Sequence, residues 1–155
     1  MMRILLALAL SAAPSLAQEP ADLSVDLSVV EACMANTPPG ELTPACIGAA
    51  SQQCQQAPGG DTTIGIVQCA MAEHAAWDEA LNREYGETRV AFADDETAAA
   101  SLLAAQRAWI AWRDAECAFQ YDRYGGGSMR SVAAANCKMS MTAMRTLELK
   151  ALRGW

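Results

Sequence analysis

The chain has 155 residues, with 18 acidic and 11 basic side chains, and a formal net charge of −7 at pH 7. Its length fits one domain of ordinary size. Its negative charge would repel nucleic acid and anionic membranes, so a nucleic-acid-binding function is excluded and a cationic partner is favoured.

The first 17 residues have the features of a secretory signal peptide. Arg3 precedes a ten-residue apolar run from Ile4 to Ala13, and Ser15 and Ala17 place small residues at positions −3 and −1 of a cleavage site. The apolar run is too short to span a bilayer. We therefore predict cleavage near Ala17, no membrane insertion, and a periplasmic or secreted product.

The six cysteines behind this segment indicate disulfide bonds. Six cysteines allow fifteen pairings, but the spacing favours neighbours, because each consecutive pair brackets a turn-rich segment. The expected bridges are Cys33–Cys46, Cys54–Cys69 and Cys117–Cys137. The alternative is a zinc site, but the chain has no C-x-x-C motif and a single histidine. We therefore expect no metal site and no cofactor.

The acidic residues are unevenly distributed. Residues 18–82 contain nine acids and no lysine or arginine, whereas residues 83–155 contain nine acids and ten basic residues. The acidic half would steer a cationic partner toward the protein. The alternative is that these acids only confer solubility.

Two short helices are predicted first. Residues 22–36 carry apolar positions at helical spacing, with Ser24 as a plausible N-cap. A second short helix begins at Thr43-Pro44, since Thr is a good N-cap and Pro fits the first helical position. It ends near Gln56, before a Pro-Gly-Gly turn.

Three longer helices follow. The first begins at Thr62 or Thr63 and passes Gly86, which would kink it or end it early. The next begins at the acids of residues 94–96 and ends near Asp122, and the last covers residues 129–153 with Ser128 as N-cap. No alternating pattern predicts a strand. The predicted fold class is all-α, a small disulfide-stapled bundle of three longer helices and two short N-terminal ones.

The segment AAQRAWIAWRDAEC, residues 104–117, forms the centre of the fourth predicted helix. Its apolar positions fall in two neighbouring stripes, which predicts a wide buried face. Arg113 lies beside Trp109 at the edge of that face and needs a carboxylate or carbonyl partner, because burying an unpaired charge is costly. Asp114 points about 100° away on a helix. We therefore expect the partner of Arg113 to come from another helix.

Two groups of side chains resemble catalytic or metal sites, and each has a simpler structural interpretation. His74 and Asp78 are four residues apart, a spacing that allows a hydrogen-bonded pair for general-base catalysis; the alternative is a packed histidine on the apolar stripe. Met139, Met141 and Met144 offer thioethers suited to Cu(I); the alternative is core packing. With no nucleophile in view, we predict no catalytic residue and no enzymatic activity.

The turn before the last helix is glycine-rich and carries an aromatic ring. Tyr124, Gly126, Gly127 and Ser128 make it a candidate recognition loop, because glycines allow a close approach of the partner. The alternative is a simple connection between two helices.

Several short strings in the second half of the chain form a recognisable pattern. They are Cys54, Cys69, WDEALN at 77–82, Tyr85, QRAWI at 106–110, RDAEC at 113–117, Gly126-Gly127-Ser128, Cys137, Thr142, Arg145 and Leu149. With them the chain resembles the LprI-like lysozyme-inhibitor family of exported bacterial proteins. The resemblance covers roughly residues 54–152 and implies a helical, disulfide-bonded envelope protein that inhibits lysozyme.

The resemblance also implies a structural role for one set of matching residues. They are Asp78, Asn82, Tyr85, Trp109 and Arg113. Tyr85 and Trp109 are suited to the core. Asp78 is the carboxylate that would form the interhelical pair with Arg113.

These observations divide the chain into a signal peptide (1–17), an acidic helical extension (18–53) and an LprI-like domain (54–155). The expected function is that of an exported protein that binds and blocks a cationic lysozyme, with close contact at the Tyr124 loop and steering by the acidic half. The alternative is a non-catalytic envelope protein that binds a metal such as Cu(I) or another protein. The sequence does not set the oligomeric state.

Overall fold

The computed structural model describes residues 23–153, which fold into five helices. In chain order these are α1 (Leu27–Asn36), α2 (Ala49–Cys54), α3 (Thr63–Ala91), α4 (Glu96–Asp122) and α5 (Met129–Leu152). Residues 23–153 contain no strand, and the all-α prediction is confirmed. The predicted signal peptide lies outside the described residues.

Three disulfides tie consecutive segments together. Cys33–Cys46 joins α1 to the turns before α2, Cys54–Cys69 joins α2 to α3, and Cys117–Cys137 joins α4 to α5, with Cα separations of 5.6, 5.7 and 5.5 Å. These are the pairs that the spacing favours. Each closes a loop of 13, 15 or 20 residues, which stabilises the fold by on the order of 3 kcal/mol by restricting the unfolded chain.

The hydrophobic core is centred on Trp77 of α3, which is fully buried. Its partners come from α1, α2, α3 and α5, and the cluster consists of Val30, Cys33, Ala50, Trp77, Ala80, Met139 and Ala143. α3 and α5 form the main helix pair, and α1 and α2 cover one side of it. The acidic segment predicted as an extension therefore contributes to the same core as the rest of the chain.

A buried carboxylate on α3 caps α2. Both oxygens of Glu73 are used: Oε1 accepts hydrogen bonds from the Gly48 backbone N–H (2.8 Å) and the Trp77 Nε1–H (3.0 Å), and Oε2 accepts one from the Ser51 backbone N–H (2.7 Å). Gly48 is the N-cap, with a φ of 93° that favours glycine. Because glycine has no side chain to cap the helix, Glu73 supplies the missing acceptor and a favourable charge.

The first two helices begin later than predicted. α1 begins at Leu27 because Asp26, rather than Ser24, is the N-cap: its side chain accepts a hydrogen bond from the Ser28 backbone N–H at 2.9 Å. α2 begins at Ala49 rather than after Thr43, since residues 45–48 form turns.

Among the predictions for the longer helices, the early end of α3 is wrong and the cap of α5 is right in position only. α3 continues through Gly86, whose cost of about 1 kcal/mol does not end a 29-residue helix that packs along α5. Ser128 is the N-cap of α5, as predicted, but its side chain makes no capping hydrogen bond, because its backbone is already in the right-handed helical region.

α4 is the least covered of the long helices. It packs mainly on α5, and only Gln106 and Cys117 among its 27 residues are buried. The predicted wide buried face is therefore narrower than expected. Trp109 on α4 and Tyr85 on α3 are half-buried rather than core residues, because the packing between α3 and α5 leaves both at the edge of the bundle.

Candidate functional site

A groove of about 500 Å³ runs along the seam between α4 and α5. Trp112, Glu116, Gln120 and Tyr124 form one wall, because residues four apart lie on the same side of a helix. The opposite wall and floor come from α5 and consist of Ala133, Asn136, Cys137, Ser140 and Met141. The Cys117–Cys137 disulfide fixes the two helices beside the groove.

Aromatic rings stand at the two ends of this groove, with polar side chains between them. Trp112 is 57% exposed and Tyr124 is 48% exposed, and 12 residues of helical rise separate them by about 18 Å. Gln120 Nε2 donates a hydrogen bond to Glu116 Oε1 at 2.7 Å, which orders the middle of the wall. Exposed aromatic side chains are enriched at protein-binding surfaces.

The predicted recognition loop lies at one end of the groove. Residues 124–128 are all exposed, and the chain turns at Gly125, whose φ is 56°. The Gly127 backbone N–H donates to the Tyr124 carbonyl at 3.2 Å, and Arg130 Nη1 donates to the Gly125 carbonyl at 3.4 Å. Of the four predicted binding residues, only Tyr124 lines the groove; Gly126, Gly127 and Ser128 form the tip of the turn.

Two guanidinium groups flank this loop. The Arg123 guanidinium carbon lies 5.7 Å from the ring centroid of Tyr124, and that of Arg130 lies 4.7 Å from the ring centroid of Tyr121, both at cation–π distance. Arg123 Nη1 also donates to Gln120 Oε1 at 3.1 Å. The tip of an acidic protein is therefore locally cationic and aromatic.

Sequence reasoning missed most of this site. Trp112, Glu116 and Gln120 were not candidates, although their spacing from Tyr124 in steps of four residues was a usable signal. Arg123 and Arg130 were missed because a net charge describes the whole chain and does not show where single cations lie.

Arg113 pairs with the predicted carboxylate, Asp78 of α3, and more closely with its own neighbour Asp114. Arg113 Nε and Nη2 donate to Asp114 Oδ1 at 3.1 and 3.0 Å, whereas Asp78 Oδ1 on α3 is 3.9 Å from Nη1. Neighbouring residues of a helix point about 100° apart, which is why Asp114 was not expected to be a partner. The Arg113 side chain is long and flexible, however, and it bends back to reach Asp114. Asn82 Nδ2 donates to Asp78 at 3.4 Å, and Arg113 lies 5.1 Å from the Trp109 ring centroid. Asp78 and Asn82 of α3 thus lie beside Trp109 and Arg113 of α4.

His74 is a packed side chain in this structure. It is half-buried, and its Nε2 atom is buried without a hydrogen-bond partner in the described part of the chain. Burial lowers the pKa of His74 below its ordinary value of 6.5, and the nearby Asp78 carboxylate opposes this only in part. A neutral, unpaired imidazole fits the structural interpretation.

Met139 and Met141 of the last helix do not share one site. Met139 packs in the Trp77 cluster, whereas the Met141 sulfur lies 3.7 Å from Cys117 Sγ and 3.6 Å from Cys137 Sγ. Met139 and Met141 thus fill different gaps, as thioethers commonly do. Among residues 23–153 no cluster of three or more His, Cys, Asp or Glu side chains has the arrangement of a metal site.

The acidic half presents fewer free carboxylates than its composition indicates. Glu73 is buried, and Glu31 pairs with Arg83 at 3.2 Å. The acids that remain exposed in the described part of this half include Asp26, Glu41, Asp61 and Glu79. They are spread over α1, two turns and α3, so they form a diffuse negative surface rather than one patch.

Comparison with known proteins gives one family match. A profile described as "Lysozyme inhibitor LprI" matches residues 54–149, which include the groove and the loop. An uncharacterized protein of Rhizobium meliloti is 31% identical over 140 residues, covering 81% of this chain and 91% of the relative. No solved structure is significantly similar to the chain. In the part that the structure describes, no helix is long and apolar enough to cross a membrane.

Proposed function

This chain belongs to the LprI lysozyme-inhibitor family, and we propose that it is an exported, non-catalytic protein that binds a cationic lysozyme and blocks its cleft. The observation that carries the proposal is the exposed Tyr124 and Arg123 pair at the end of the α4–α5 groove, inside the matched residues. The disulfide beside the groove supports a rigid presentation of this pair. Rigid presentation favours binding because little conformational entropy is lost on contact.

The chemistry of the loop complements that of a lysozyme cleft. Lysozymes cleave wall polysaccharide with two carboxyl groups, one of which must be protonated to act as the acid. A guanidinium beside a carboxyl group favours its ionised form and lowers its pKa. Insertion of Arg123 would therefore hold the catalytic acid in its inactive, ionised state, while Tyr124 would fill a sugar subsite.

The acids would act at longer range. The exposed carboxylates of Asp26, Glu41, Asp61 and Glu79 surround the bundle on elements other than the loop. Their field would attract a cationic lysozyme and raise the association rate, and added salt would reduce this effect. Steering and close contact therefore involve different parts of the molecule and are separable by experiment.

A lysis assay tests the proposal. Purified bacterial walls are digested by lysozyme with and without the mature chain, at low and at moderate salt. We expect inhibition that weakens as salt rises, and a large loss of inhibition in Arg123→Ala and Tyr124→Ala. Ile64→Ala, an exposed apolar residue of α3 far from the loop in sequence, is the matched control. Full inhibition by both loop variants, with helical content intact, would remove the loop from the mechanism.

A further inference from the structure

α4 packs on α5 with one side, and the opposite side is left uncovered along most of its length. The inner side faces α5 and carries the polar and aromatic residues of the groove wall. The outer side carries five exposed alanines at alternating spacings of four and three residues, namely Ala104, Ala108, Ala111, Ala115 and Ala118. Alternating steps of four and three residues are the heptad pattern of a helix that packs against another helix.

Larger apolar residues border this alanine stripe. On one edge Leu103 and Ile110 are each 41% exposed, and on the other Trp112 and Phe119 are each 57% exposed. Together with the alanines they form a continuous apolar surface along residues 103–119, about 24 Å long. Contiguous exposed apolar surfaces of this length mark interaction sites on otherwise soluble proteins, so this surface indicates a missing partner.

The charges on the outer side identify that partner. Arg107 and Asp114 are both exposed and are seven residues apart, so they lie on the same edge of the helix. If a second copy of α4 runs antiparallel, with a two-fold axis between residues 110 and 111, each Arg107 lies level with the Asp114 of the other copy. Two equivalent ion pairs then form across the axis, because a two-fold contact repeats every interaction.

Other partners fit these charges less well. The outer side of α4 is neutral, so it offers a cationic lysozyme no net attraction. A parallel two-fold copy would place the edge that carries Arg107 and Asp114 beside the Trp112 and Phe119 edge of the other copy, so neither charge would meet an opposite charge.

We infer that the outer side of α4 is the interface of an antiparallel two-fold dimer of this chain. The alanines permit an interaxial distance near the short end of the usual range, about 8 Å. Trp112 lies close to the axis, so the two indoles pack beside each other. The two Tyr124 loops lie near opposite ends of the paired helices, which leaves both free for the proposed lysozyme contact.

Sedimentation of the mature protein over a wide range of concentrations tests this inference. The wild type should be a dimer. Ala111→Glu should be a monomer, because it places two carboxylates next to each other at the axis. Ala75→Glu, the same change at an exposed alanine of α3, is the matched control and should leave the dimer intact. Circular dichroism checks that both variants remain helical.

Charge reversal tests the predicted pairing itself. Arg107→Asp converts two attractive contacts into two repulsive ones, and we expect the dimer dissociation constant to rise on the order of tenfold. Arg107→Asp combined with Asp114→Arg exchanges the charges and should form a tighter dimer than either single variant. Asp114→Arg alone is the control for loss of the Arg113–Asp114 contact. The same Arg→Asp change at exposed Arg89 of α3 is the control.

Several results would overturn the inference. A monomeric wild type at every concentration rules out the dimer, and so does a dimer that Ala111→Glu leaves unchanged. Equal dissociation by Ala111→Glu and Ala75→Glu would show that the alanine stripe is not the specific contact. A monomeric protein whose lysozyme binding is weakened by Ala111→Glu would assign the stripe to the lysozyme instead. A double charge exchange that forms no tighter dimer than either single variant contradicts the antiparallel register.

Discussion

Removing the buried carboxylate of Glu73 should be among the most damaging single changes in this protein. Its side chain accepts three hydrogen bonds of 2.7 to 3.0 Å. Two come from backbone N–H groups at the start of α2 and join it to α3, and the third comes from the Trp77 indole of α3 itself. Glu73→Ala leaves three buried donors without an acceptor and opens a cavity beside the core. Each unsatisfied donor costs about 1–3 kcal/mol, but relaxation makes such costs less than additive.

We therefore expect Glu73→Ala to lower the free energy of unfolding by about 3–5 kcal/mol, as for other broken buried charge networks. Glu73→Gln keeps one acceptor oxygen and the side-chain volume, but it turns an amide NH₂ toward a backbone N–H. Its loss should be smaller, about 1.5–3 kcal/mol, the value of hydrogen bonds to a charged group.

The assay is urea-induced unfolding with the disulfides intact, followed by circular dichroism and tryptophan fluorescence. Glu79→Gln, an exposed acid on the same helix, is the control and should change stability by less than about 0.5 kcal/mol. If Glu73→Ala and Glu79→Gln unfold at the same urea concentration, then Glu73 does not hold α2 on α3 and the reasoning is refuted.

The remaining predictions concern Arg113, His74 and the cysteines. Arg113→Ala should cost only about 1 kcal/mol, because both its carboxylate partners, Asp78 and Asp114, are about half exposed and such ion pairs are weak. Arg113 itself is 13% exposed, so a loss of several kcal/mol in urea unfolding, set against Arg89→Ala, would mean that its ion pairs behave as buried ones. Because burial lowers the pKa of folded His74 below 6.5, the unfolded chain binds more protons, so the unfolding free energy should fall as pH drops below about 6.5. In thermal melts from pH 7 to pH 5, His74→Leu should reduce the dependence of the unfolding free energy on pH. If the variant keeps the wild-type dependence, carboxylates and not His74 cause it. The folded protein should not react with thiol reagents, since residues 23–153 contain no free cysteine, and alkylation without prior reduction would contradict the disulfide pattern.

Local signals in the sequence predicted much of the fold. Turn-rich segments between cysteines indicated the three disulfides, and the acids before Glu96 marked the start of α4, where the Asp95 side chain accepts a hydrogen bond from the Ala98 backbone N–H at 2.9 Å. These features depend on residues close together in the chain. Periodicity shows that a helix has an apolar side but not what covers it. For that reason Trp109 was expected in the core, whereas Trp77 occupies it.

The site was harder to predict because it depends on contacts between distant residues. The sequence around Glu73 does not indicate that it is buried, since its partners Gly48 and Ser51 are 25 and 22 residues away. Trp112 lies in a helix with apolar residues on several sides, and only the position of α5 shows that it borders a groove. The loop was identified correctly as exposed, but the guanidinium beside Tyr124 required three-dimensional geometry.

The measurement that tests the account most directly is a titration of lysozyme with the mature protein, in which binding and inhibition are recorded together. Isothermal calorimetry gives the dissociation constant, and wall digestion under the same conditions gives the concentration of half-inhibition. The account predicts saturable binding to a cationic lysozyme and half-inhibition at a concentration set by that dissociation constant. Absence of both binding and inhibition with several lysozyme types, at low salt and with the fold intact, would contradict it.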